Sequence, residues 1–153
     1  LLIGILSNWK GKRVPTPLTP DEQYTHVTLW SLLAAPLIFS GDITKMDDFT
    51  LSLLTNDELI EINQDPLCTQ AHCVAGNTNT QIWMKTLEDG SRAVGLFNMD
   101  PAFHHKVTLK WSDLGLEGEH RLRDVWRQQD IGNIKDSFTA ELVPHGCMAL
   151  RIW

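Results

Sequence analysis

Along residues 20–34 the chain runs through Tyr24, Val27, Trp30, Ser31 and Leu33, one side of a helix, directly behind Thr19-Pro20-Asp21-Glu22. Thr19 supplies a capping hydroxyl, Pro20 fits the first helical position, and Glu22 stands three residues after the cap. This helix should stop before Pro36, because the residue preceding a proline avoids the α region. Leu37-Ile38-Phe39 then forms a short continuous apolar run, ended by Ser40-Gly41-Asp42, and predicts a strand buried on both faces. A second helical region opens near Asp47 or Asp48, runs through Phe49 to Leu54, and restarts after Asn56 with Glu58, Leu59 and Ile62. Helices alternating with a buried strand follow α/β logic, and a lone strand needs neighbours from upstream or from another chain.

From Thr80 the period changes to two. Residues 81–87 and 92–98 flank Glu88-Asp89-Gly90-Ser91, and Asp-Gly between alternating strands predicts a hairpin with positive φ at both central residues. Further strands are expected at residues 106–111, 121–126, 138–143 and 147–152, each bounded by turn residues. Six strands at this spacing predict an antiparallel sandwich or curled sheet. No internal repeat or low-complexity segment interrupts the pattern.

Composition narrows the function classes. The 153 residues are 42% hydrophobic and 21% charged, enough for a sizeable core, with 13 basic against 19 acidic side chains and a net charge of −6. Up to Asp65 there are four basic and nine acidic residues; after it, nine and ten. An acidic chain without a Lys/Arg cluster argues against nucleic acid or a membrane surface as the principal partner. Lys10, Lys12 and Arg13 read as a solvated loop. No run approaches the roughly 20 apolar residues that cross a bilayer. The opening Leu1-Leu2-Ile3-Gly4 lacks a basic flank and reads as a cut rather than a signal peptide.

Few residues carry candidate chemistry. Asp42 follows the expected strand on a Gly-containing turn, and ligand groups collect at the carboxyl ends of strands in α/β proteins; a turn or capping aspartate is the alternative. Cys68, His72 and Cys73 lie close together, but a structural zinc site wants four ligands, so no metal site is expected. A Cys68–Cys73 disulfide in an exported protein and free loop thiols are the two readings left. Cys147 opens an apolar strand and reads as a buried small hydrophobe. His104 and His105 read as a surface turn, as does His145 between Pro144 and Gly146. No Gly-x-Ser-x-Gly elbow and no phosphate loop is present. Six Trp suit a core or a sugar-facing surface; Trp83, Trp111 and Trp126 fall on expected strands, where core packing is favoured.

The run Thr28-Leu29-Trp30-Ser31-Leu32-Leu33-Ala34-Ala35-Pro36-Leu37-Ile38-Phe39-Ser40-Gly41-Asp42-Ile43 resembles the end of the catalytic barrel of the α-galactosidase (melibiase) family, glycoside hydrolase family 27. The likeness continues through Ile62-Asn63-Gln64-Asp65-Pro66. Beyond it, Asp89-Gly90-Ser91-Arg92-Ala93-Val94-Gly95-Leu96-Phe97-Asn98, Arg123-Asp124-Val125-Trp126-Arg127 and Pro144-His145-Gly146 resemble that family's C-terminal β-domain. The connector at residues 68–79 and the loop at residues 4–17 are least family-like.

The resemblance implies the last helix-strand-helix of a (β/α)8 TIM barrel at residues 1–67, a connector at 68–79, and an antiparallel β-sandwich at 80–153. It implies retaining hydrolysis of terminal α-galactosides by two aspartates, a reaction that places its carboxyl groups about 5–5.5 Å apart. Both aspartates belong to earlier barrel strands, and the family's Asp-Met pair beside the sugar would stand immediately before Leu1. No catalytic residue is therefore expected in this chain, which alone should be inactive. Ser40 and Asp42 are the barrel-mouth positions that carry over as substrate-binding candidates, and no cofactor is implied. The implied partners are a galactoside or related carbohydrate and the remaining barrel. Exposed apolar faces on the barrel part also predict swapping or homo-oligomer formation. Galactose, N-acetylgalactosamine and arabinopyranose remain open as the sugar. A secreted or periplasmic home fits polysaccharide degradation. The other two readings are a noncatalytic carbohydrate-binding or structural module and one subunit of a split glycosidase.

Overall fold

The Thr19 hydroxyl accepts the Glu22 N–H, and the Glu22 carboxylate accepts the Thr19 N–H at 2.7 Å, so the expected capping box starts helix α1, Pro20–Leu32. The computed structural model describes residues 1–7 and 11–153. Two strands precede α1 as a hairpin, β1 (Ile5–Ser7) and β2 (Arg13–Pro15). After α1 come a 3-10 turn at Ile43–Lys45 and helices α2 (Asp48–Leu54) and α3 (Asp57–Asn63), capped by Asp47 and Asn56. Lys10, one of three residues read as a solvated loop, lies outside the described residues.

Residues 37–39 are not part of a strand, and the Ile38 N–H donates back to the Pro36 carbonyl at 2.9 Å. The Leu1 nitrogen donates to the Ile38 carbonyl, and the Ser40 N–H donates to the Leu1 carbonyl at 3.3 Å, the pattern of two parallel neighbours. One short neighbour gives too few ladder bonds to fix a regular strand, and Ile38 is 69% exposed. The strand expected there, buried on both faces, is thus an irregular segment with Ile38 open to solvent.

The rest is antiparallel. Strands β3 (His72–Gly76), β4 (Thr80–Thr86), β5 (Arg92–Asn98), β6 (His105–Lys110), β7 (Glu119–Asp124), β8 (Gln129–Lys135), β9 (Ser137–Leu142) and β10 (Cys147–Ile152) form two sheets. Six of them assemble in the order β3-β4-β5-β10-β7-β8, while β6 and β9 pair separately. Two strands beyond the expected six, β3 and β8, are the edges of the large sheet. β3 falls inside the connector expected at 68–79. The β4–β5 hairpin forms as expected, but only Gly90 has positive φ (83°), with the Gly90 N–H on the Leu87 carbonyl. The longer loop closes on a turn followed by a left-handed glycine, not on a two-residue turn.

The large sheet is covered on both faces. Val94 and Leu96 of β5 join Leu109, Trp111, Leu122 and Leu150 in a core beneath the β6–β9 pair. Their alternates Ala93 and Phe97 join Val27, Leu32, Leu59 and Ile62 in a second core beneath the helices. The barrel segment and the β-sandwich therefore share one apolar junction, built on small residues that let α1 lie close to the sheet.

Candidate functional site

Gly4 ends the run that begins at Leu1 with φ 68°, and a side chain there would meet Thr50 at 2.9 Å. The chain turns at this point into the β1–β2 hairpin. The Asp42 N–H donates to the Ile5 carbonyl at 2.7 Å, and Leu6 bridges Gly41, so the hairpin base is stitched to the Ser40–Asp42 turn. Both leave the carboxyl end of parallel neighbours, the end where α/β folds gather ligands.

Asp42 is held firmly. Its Oδ1 accepts the Thr44 N–H at 3.0 Å and the Thr44 hydroxyl at 2.7 Å. Its Oδ2 is sealed from solvent and, among the described residues, meets only Arg13 Nε at 2.7 Å, off the line of a directed hydrogen bond. The Thr44 hydrogen bonds, chiefly, and the nearby Arg13 and Lys45 charges hold this carboxyl below the ordinary aspartate range. Asp42 is thus an ionised anchor, a poor general acid at neutral pH. Ser40 is exposed beside it and contributes its N–H to Leu1. Arg13, read as loop charge, is the partner that sequence reasoning missed; a pair 29 residues apart in an irregular segment leaves no periodic signal.

The junction carries a second constellation that sequence reasoning left unassigned. Arg151 of β10, 9% exposed, donates to Ser91 Oγ at 3.0 Å, Glu61 of α3 at 2.9 Å and Asp89 at 2.9 Å. Arg123 of β7 forks onto Glu58 of α3, with its Nε at 2.8 Å, and reaches Asp130 at 3.2 Å. Trp126 Nε1 donates to the Thr28 hydroxyl of α1 at 2.8 Å. His145 Nδ1 meets Glu22 at 2.7 Å, and the Thr25 hydroxyl donates to the His145 carbonyl at 2.7 Å. These contacts fix helix positions on the sheet; none brings two carboxylates face to face. A signal for Arg151 was present: it shares with Ala149 the helix-facing side of β10, where an unpaired charge is not tolerated.

Of the two readings of Cys68 and Cys73, the structure has the free thiols. Cys68 and Cys73 are unbonded and exposed, and the Cys73 thiol points to the Ala75 carbonyl at 3.4 Å instead. Cys73 is committed to β3, opposite Trp83 of β4, while Cys68 sits in the turn after Asp65 with φ 50°. Cys147 is partly buried against the junction core, with Sγ 3.4 Å from the Thr28 hydroxyl and desolvation pushing its thiol up to about 11. In the reduced protein at pH 8, two thiols should therefore react rapidly with a disulfide reagent and the third much more slowly. Three equally fast thiols would contradict this placement.

His105 Nε2 lies 3.0 Å from Asp100 Oδ2, which with the Ala102 and Phe103 N–H groups lowers that carboxyl to about 2. Among the described residues no three His, Cys, Asp or Glu side chains could hold a metal ion. Trp111 is buried in the core, and Trp83 and Trp126 pack against the junction core, in keeping with the favoured packing role.

Two family models match the chain: the α-galactosidase C-terminal β-sandwich domain over residues 77–152, and α-galactosidase A over residues 16–65. A probable α-galactosidase of Dictyostelium discoideum is 41% identical over 143 residues, covering 88% of this chain and 36% of that protein. An α-galactosidase of Cyamopsis tetragonoloba is 34% identical, covering 85% of this chain and 32% of its own length. The chain thus spans about a third of these relatives. Among solved structures, a family 27 β-L-arabinopyranosidase of Geobacillus stearothermophilus superposes with a TM-score of 0.91 at 30% identity, over 99% of this chain and 35% of that one. α-Galactosidase I of Mortierella vinacea gives 0.83 at 26% identity, over 88% and 36%. With the end of the barrel and the C-terminal sandwich both matched in sequence and in fold, the chain belongs to the α-galactosidase (melibiase) family, glycoside hydrolase family 27.

Proposed function

We propose that residues 1–153 are the C-terminal part of a retaining glycoside hydrolase that removes terminal α-galactosyl residues, and that its two catalytic aspartates lie outside this chain. The observation that carries the reading is the superposition of nearly the whole chain on about a third of a family 27 enzyme. Within that frame the role of these residues is mechanical and positional. The junction cores and the Arg151 and Arg123 forks hold α1 and α3 against a rigid sandwich, while Asp42 anchors the rim of the barrel mouth. In the reaction one carboxylate attacks the anomeric carbon as the other protonates the leaving oxygen, so the geometry must hold to fractions of an ångström. A rigid β-domain bolted to the last barrel helices supports that geometry from outside.

Ser40 and Asp42 are proposed as substrate-side residues of the mouth. The test is the stereochemistry of hydrolysis by the product of the complete reading frame. Proton NMR of the first-formed sugar from p-nitrophenyl α-galactoside should show the α-anomer. The β-anomer as first product would overturn the retaining mechanism. Faster turnover of the arabinopyranoside or the N-acetylgalactosaminide would reassign the substrate.

A further inference from the structure

The β1–β2 hairpin leaves the Leu1–Ile3 segment at the Gly4 turn, beside the Ser40–Asp42 turn. Arg13 stands opposite Ser7 in register, three residues past the Gly4 turn, which is roughly 10 Å at 3.3 Å per residue. All three residues of β2 are exposed, and the Arg13 side chain is 57% exposed. Yet its Nε is pinned to an aspartate side chain that is only 11% exposed and itself locked by Thr44. A solvent-facing arginine with its Nε beside a partly buried anion has that edge occupied, which restricts the guanidinium relative to a free surface arginine.

The chemistry of this edge selects among ligands. The pair is neutral in itself, with the Lys45 charge nearby. Its outward N–H groups suit neutral oxygen acceptors such as hydroxyls. Ile43, next in sequence to Asp42, is 72% exposed and adds an apolar patch for the C–H face of a sugar ring. Ligands of α/β folds gather at the carboxyl ends of strands, the end at which the chain leaves Gly4 for the hairpin, so a leaving group on the open side of that end would lie on the hairpin's side.

Building on the glycosidase reading above, we propose that the Arg13–Asp42 pair is a specificity-determining element for a sugar leaving group, Arg13 donating to its hydroxyls and Asp42 positioning Arg13. Arg13→Met removes the donors, Arg13→Lys keeps the charge without the fork, and Asp42→Asn releases the fork. Each is made in the complete reading-frame product, and kcat/KM is measured for raffinose and for p-nitrophenyl α-galactoside. The ratio of the oligosaccharide value to the nitrophenyl value should fall about tenfold in Arg13→Met, carried by KM, and by a smaller factor in Asp42→Asn and Arg13→Lys. A ratio within twofold of the parent in Arg13→Met and Asp42→Asn overturns the proposal while leaving the glycosidase reading intact. An unmutated enzyme that cleaves neither substrate overturns that reading and the proposal with it. Arg13 is mostly exposed and outside both cores, so a fold lost in Asp42→Asn alone still leaves Arg13→Met to decide.

Discussion

Replacing Trp111 with alanine should lower the unfolding free energy by about 3–5 kcal/mol, the range for deleting a buried aromatic side chain. Trp111 is 1% exposed and among the largest fully buried side chains. It fills the space beneath the β6–β9 pair beside Leu109, Leu114 and Leu122. Its Nε1–H also donates to the Ile134 carbonyl at 3.1 Å, so truncation leaves a cavity and removes that carbonyl's donor. Trp111→Phe keeps most of the volume and should cost less than half as much. At this chain length the alanine variant should melt roughly 10 °C lower. A melting temperature within about 2 °C of the parent would mean that Trp111 does not organise this core.

Gly95→Val should be the most damaging small substitution at the junction, at about 2–3 kcal/mol, the scale of overpacking a filled core. Gly95 sits mid-strand in β5, between Trp83 of β4 and Ala149 of β10. A Cβ built there lies 2.6 Å from Leu32 Cδ1 and 2.6 Å from the Phe97 ring. Both neighbours are side chains, but each is 2% exposed and lies in the close-packed junction core, where a shift disturbs further side chains. Glycine here is a contact residue: its missing side chain is the space in which α1 rests on the sheet. The cause can be isolated by pairing. Leu32→Ala costs stability alone, yet combined with Gly95→Val it should recover part of the loss, a favourable coupling of about 1 kcal/mol in a double-mutant cycle. Strictly additive losses would place the clash elsewhere.

Elements whose signal is local were legible in the sequence. The capping box at Thr19 and Glu22 marked the start of α1 to the residue. Alternation in β5 separated Val94 and Leu96 from Ala93 and Phe97, the division that the two cores obey. Signals failed where burial is one-sided or partners are remote. β8, Gln129–Lys135, is a mostly exposed edge with a glycine at φ 119°, so it carries no apolar alternation to read. β3 is an edge with a register shift between Cys73 and Ala75. Residues 37–39 read as a buried strand because their apolar run suits a barrel with neighbours on each side. Here Leu1 alone pairs with them among the described residues.

The site divides in the same way. Asp42 was visible because a carboxylate that ends an apolar run on a glycine turn stands where α/β folds gather ligand groups. Arg13, Arg123 and Arg151 find their carboxylates 29, 65 and 90 residues away, at Asp42, Glu58 and Glu61, and only the fold reveals those pairs. Proximity in sequence left Cys68 and Cys73 open to pairing or to free thiols, and here both are free, with Cys73 already committed to β3.

The central claim is that these residues shape and support a glycosidase mouth while the bond-breaking carboxylates lie outside them. The direct measurement is nitrophenol release from p-nitrophenyl α-galactoside by the purified 153-residue chain, run beside the product of the complete reading frame. The account predicts turnover by the complete product and none above the buffer rate by the chain. Turnover by the chain, abolished in Asp42→Asn, would contradict it and place a catalytic carboxylate at the Ser40–Asp42 turn.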